Sequence, residues 1–210
     1  MKSSPAILAS LAFGVVFWLP FVSIGQDTKP AGETLEQRIL RGDDYAFIEA
    51  ADADRKDLVP LIEKFSDDNT ARKALAKLGG KKYLDGIVAE LTNNALDAPG
   101  PNGAPPTTVV KHERRWAQME AFKKLAYIKD RSTVKVLASY LYAKENPDDY
   151  VDHGGKDIVV FETPSEAAMR ILPQIVDNPP AVNLQGTNDT HEARVKIWQQ
   201  WWEENKAKYS

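Results

Sequence analysis

Apolar residues recur along the chain with the spacing of one helical face. Leu58, Leu61, Ile62 and Phe65 fall at i, i+3, i+4 and i+7. Leu84, Ile87, Val88 and Leu91 repeat that spacing, and Val134, Leu137, Ala138 and Leu141 repeat it again. Each set predicts a short amphipathic helix with one buried stripe. Upstream of the three stripes the chain also aligns. Ala50, Ala76 and Ala126 come eight residues before them, Asp54, Gly80 and Asp130 four before, and Arg55, Lys81 and Arg131 three before. Each unit therefore predicts a helix ending in a small residue, a tight turn, a basic residue and a second helix.

A looser fourth unit follows. Thr163, Pro164 and Glu166 form a helix-start signature, with a capping hydroxyl, proline in the first turn and a glutamate three residues on. Ala168, Ile171, Leu172 and Ile175 continue it as the stripe. Its partner is a final helix over 191–208, where Ile197, Trp198, Trp201 and Trp202 make an aromatic face. At the front, 34–41 and 45–52 predict helices around Gly42 and Asp43. Val159, Val160 and Phe161 are the one extended candidate, and the expected fold class is all-α.

Segments 53–65 (ADRKDLVPLIEKF) and 128–141 (IKDRSTVKVLASYL) resemble the turn and second helix of bacterial HEAT-like repeats. The tail WQQWWEENK resembles the ending of exported HEAT-like proteins of unassigned function. The proline common in that family's turn is missing from both segments, and the stripes lie 26 and then 50 residues apart. The resemblance implies a short α-solenoid of about four antiparallel helix pairs over 43–210, with long inter-helix loops. It implies a scaffold that binds a protein partner along one face. No site motif of the family's enzymes matches residues here.

The irregular spacing comes from insertions. Segment 93–109 is rich in Pro, Gly and Asn, and 144–162 is a second loop. Both lead from a second helix to a first helix, so both should emerge on one edge, while 177–190 should emerge on the other. Asp148, Asp149, Tyr150, Asp152, His153, Gly154 and Gly155 gather in the second loop. Carboxylates and an imidazole could hold a metal. The same residues also make an acidic solvated turn or a partner-binding tip, and their spacing fits no EF-hand, so no metal is assigned.

The first 25 residues read as an export signal, placing 26–42 as a lead-in segment with a short helix. Lys2 precedes an apolar run over 6–22, and Ser23 and Gly25 stand three and one before a cut next to Gln26. The expected destination is the periplasm or the exterior; an uncleaved segment would instead anchor the chain in a membrane. Among the 210 residues there is no cysteine, which excludes disulfide-linked partners, thiolate metal sites and a lipoprotein anchor. The net charge of −3, with both signs interleaved, does not suit nucleic acid.

No catalytic residue is assigned: there is no nucleophile elbow, phosphate loop or dinucleotide fingerprint. His112 and His191 open helices. The leading expectation is an exported interaction module, with no cofactor. Its face comprises Glu63, Lys64, Asp85, Glu90, Lys135 and Ser139 on the second helices, with Tyr150, Asp152 and His153 in the loop. The alternative is an envelope hydrolase or carbohydrate-binding protein using loop carboxylates and exposed tryptophans. The tryptophans at helical spacing suit a core cap as well as a sugar platform.

Overall fold

The structure is a computed structural model that describes residues 32–96, 98–99, 103–144, 151–152, 159–182 and 190–209. The chain divides into Met1–Glu33, almost all of it outside the described residues, and a helical unit Thr34–Ser210. The expected signal segment thus lies outside the description. No described helix is long and apolar enough to cross a membrane.

Nine α-helices are described. They are α1 (Leu35–Leu40), α2 (Asp44–Asp52), α3 (Val59–Ile62), α4 (Asn69–Lys77), α5 (Lys81–Asn93), α6 (Thr108–Ile128), α7 (Val134–Ser139), α8 (Pro164–Ile171) and α9 (His191–Asn205). Short 3-10 turns flank α3 and α7 on both sides and extend α8 and α9. The only described strands are β1 (Val151–Asp152) and β2 (Val159–Val160), antiparallel with Val151 opposite Val160. The chain is all-α apart from this two-residue pairing.

Side chains fix most helix starts. The Asp43 and Asp68 carboxylates accept the first free amides of α2 and α4, and the Thr107 and Thr190 hydroxyls do so for α6 and α9. Thr34 and Thr163 form complete capping boxes with Gln37 and Glu166, as the sequence signature at 163–166 required.

The stripes all face inward. Leu58, Ile62, Leu84, Ile87, Leu91, Val134, Leu137, Ala138, Leu141, Ala168, Ile171 and Leu172 are buried, and Leu61, Phe65, Val88 and Ile175 pack half-buried against them. They belong to one apolar cluster running from Ile39 to Trp201. Within it α2 packs on α4, α4 on α6 and α6 on α8, while α5 packs on both α4 and α6.

Within the expected turns, left-handed backbone falls at Asp54, Gly79 and Lys129. That residue precedes the stripe by four positions in the first unit and by five in the next two. In the first two turns the following amide donates back five residues, Arg55 to Ala50 O and Gly80 to Leu75 O, both at 2.9 Å. Asp130 takes the expected helix-start role and accepts from the Ser132 amide. Gly80 is held to its side-chain-free state by space: a Cβ there would meet Leu75 O at 2.8 Å and Tyr83 Cδ2 at 2.7 Å.

Gly80→Ala should therefore destabilise the chain by about 1–3 kcal/mol through overpacking against backbone. Urea unfolding measures this; an unchanged midpoint would show that the α4–α5 turn relaxes freely.

Candidate functional site

The two insertions expected on one edge meet on the first half of α6. Arg114 donates to the carbonyls of Ala95 at 3.3 Å and Pro99 at 3.2 Å, and also bonds Ala98 O, which fastens the first insertion. From the second, β2 leads into Phe161, whose ring meets Trp116 edge-on at 5.3 Å and His112 at 6.2 Å. Leu96 from one insertion and Phe161 from the other are buried together with Met119 of α6 in a satellite cluster of their own. Trp116 stays 44% exposed, and its indole N–H donates to His112 Nε2 at 2.9 Å, which fixes the tautomer at that nitrogen. Val109, on the same helical face two turns earlier, is 67% exposed. The result is an aromatic and apolar platform at the meeting point of both loops.

The residues expected to form a binding face on the second helices are distributed differently. Glu63 accepts from Tyr83 Oη at 3.1 Å and pairs with Lys82 at 3.2 Å, contacts that hold its carboxyl below the usual range. Asp85 pairs with Lys81 at 2.9 Å on its own helix. Glu90 bridges Arg72 at 2.6 Å and Lys124 at 2.8 Å, tying α4, α5 and α6 together. Burial alone would raise its carboxyl, but Lys124 and Arg72 outweigh that and depress it. Lys64 and Lys135 are exposed, and the Ser139 hydroxyl donates to Val136 O at 2.7 Å. Tyr150 and His153 lie outside the described residues, and of Asp152 only the backbone, in β1, is described.

A polar cluster that the sequence did not announce lies where the starts of α8 and α9 approach. Ser165 Oγ is 3.2 Å from both His191 Nε2 and Thr163 Oγ1, and His191 Nδ1 is 3.7 Å from Glu166 Oε1. These residues line a cleft of about 650 Å³ together with Tyr142, Lys196 and Gln199. The start of α8 was legible as a capping sequence, but Ser165 and His191 are 26 residues apart and nothing local says that they meet. A serine, an imidazole and a carboxylate suggest acyl transfer. The geometry argues for a structural tie instead. Ser165 is 2% exposed, the 3.7 Å separation exceeds a hydrogen bond, and Glu166 Oε2 already accepts from the Thr163 amide at 2.9 Å. Tyr142 on the cleft rim bonds Glu203 at 2.7 Å, and burial and that carboxylate push its phenol up to about 12.

Trp198 and Trp201 are 1% and 8% exposed, edge-to-face at 5.4 Å, with the Trp201 indole donating to Asn178 O. They close the core and offer no face to a sugar. Among the described residues no three His, Asp or Glu side chains are placed to share a metal. No protein-family model, curated protein or solved structure matches the chain.

Two outcomes follow. Glu90 has a depressed folded-state pKa, so its stabilisation is present above its ordinary value of 4.5 and is lost as pH falls through the folded value. The stability gap between wild type and Glu90→Gln, read from urea midpoints, should be widest at neutral pH and narrow in acid; a gap constant with pH would remove the charge-network reading. At the second site, Ser165→Ala should cost about 1 kcal/mol of stability, and fluorophosphonate probes should leave the wild type unlabelled. Labelling that disappears in His191→Gln would make Ser165 a nucleophile.

Proposed function

We propose that the chain is an exported protein-interaction module, and that its helix pairs form a short HEAT-like solenoid. The successive packing of α2, α4, α6 and α8, each followed by a second helix, supports the solenoid reading. The observation that carries the function is the platform on α6. Two separate insertions converge there and leave Trp116 and Val109 in solvent beside a buried aromatic cluster. Exposed tryptophan set in a rigid frame has the composition of an interaction hot spot. Loops held on a helical scaffold are the usual carriers of recognition.

The hydrolase or carbohydrate-binding alternative has less support, because Trp198 and Trp201 are buried and Trp202 is half-buried against the same core. The partner is a protein; the acidic, charge-interleaved chain offers no phosphate-binding stripe. Contact with a membrane would come only through an uncleaved leading segment.

A photo-crosslinker placed at Val109 should capture a discrete envelope partner, and Trp116→Ala should weaken that capture roughly 10- to 30-fold, the cost of losing an aromatic anchor. The same crosslinker at Lys64 is the control. Equal capture from both positions, or none that depends on Trp116, would reject the α6 platform. N-terminal sequencing of the chain from its native host should begin at Gln26; a retained Met1 would place it on the membrane as an anchored protein.

A further inference from the structure

The bond between Trp116 and His112 can exist in one protonation state alone. The Trp116 indole N–H donates to His112 Nε2 at 2.9 Å. An indole nitrogen is a donor only, so the imidazole has to accept, and it accepts only through a nitrogen that carries no proton. His112 is therefore neutral in this arrangement, with its proton on Nδ1. Both rings also stand edge-on to Phe161, at 6.2 Å for His112 and 5.3 Å for Trp116. The hydrogen bond thus fixes the most exposed of the described tryptophans to the satellite cluster beside it.

Imidazole is the side chain whose charge changes between mildly acidic and neutral pH. A proton added at Nε2 sets one N–H against another and removes the acceptor outright. The charged groups around the ring come from two elements. On α6 they are Lys111, Glu113 and Arg115, while Arg114 is spent on carbonyls of the first insertion. From the second insertion, β1 carries Asp152 opposite Val159, and Glu162 follows Phe161 with both oxygens held by Arg170 at 2.8 and 2.7 Å. Leu96 and Met119 add no charge. The Arg115 guanidinium already lies 5.4 Å from the centre of the Phe161 ring. Protonated His112 would make two cations against one phenyl ring, which loosens the cluster further.

We propose that His112 is an acid-released catch on Trp116. In its neutral form it holds the indole in the platform; in its protonated form it lets the indole go. The release follows from the donor chemistry of two side chains and does not depend on the partner-binding reading. Its consequence does rest on that reading: the platform is set for recognition at neutral pH and is unmade in mild acid.

Nitrogen-proton NMR of the labelled full chain, titrated from about pH 8 to about pH 5, tests the catch. The indole signal that disappears in Trp116→Phe is the one to follow. As pH falls it should move towards the position of an unbonded indole, on the same curve as the His112 ring. In His112→Gln, whose side-chain carbonyl accepts at every pH, it should hold its position. A wild-type signal that stays put across the range overturns the catch, and so does one that moves equally in His112→Gln. Should that variant not fold, the two wild-type curves decide: coincident curves support the catch and separate ones overturn it. Capture by the crosslinker at Val109 should fall over the same range towards the Trp116→Ala level. Capture flat with pH while the indole moves would overturn the role in recognition, whereas no Trp116-dependent capture at any pH would reject the platform itself.

Discussion

The helices of this chain are too short to stand alone, and that constraint governs the rest. Six of the nine described α-helices have nine residues or fewer. Helices of that length are marginal in water whatever their propensity, because the nucleation cost is spread over too few hydrogen bonds. Their stability comes from laying an apolar stripe against a neighbour. The cluster from Ile39 to Trp201 is continuous for this reason. α2 lies on α4, α4 on α6 and α6 on α8, so the stripes cover one another. The tryptophans of α9 close the series, with Trp198 at 1% exposure covering the last stripe.

α6 is the exception, and the platform follows from its length. At 21 residues it is more than twice as long as α4 or α8. Its second half carries Ala121, Phe122, Leu125 and Ile128 into the common core. Its first half puts no side chain into that core and is covered by the insertions instead. Arg114 gathers carbonyls from one insertion, and Phe161 arrives from the other to form the satellite cluster with Leu96 and Met119. The insertions are thus the packing partners of an over-long helix, and incomplete cover leaves Val109 and Trp116 in solvent.

Most of the scaffold was legible in the sequence because stripes, caps and turns are local signals. The stripe residues lie inside, and Thr163 caps α8 as its sequence implies. The aligned Asp and Gly positions mark turns or helix starts in all three units, while the stripe fixes only the helix phase, so the left-handed residue shifts by one between units. The candidate sites were less legible. Ser165 and His191 converge only through the packing of α8 and α9.

The acids of the second helices are already committed within the chain. The acids of the second helices were expected to meet a partner, yet Glu63, Asp85 and Glu90 each already hold a cation of this chain. A partner competing for them would first have to break these pairs, which tie Asp85 within α5, Glu63 to Lys82 of α5, and Glu90 in a bridge across three helices. Exposed ion pairs return little when traded one for another. Trp116 and Val109 carry no such obligation: covering them removes apolar surface from water and breaks no tie within the fold. Recognition at the second helices would act against the stability of the stack, whereas recognition at the α6 platform would complete the cover that the insertions leave unfinished.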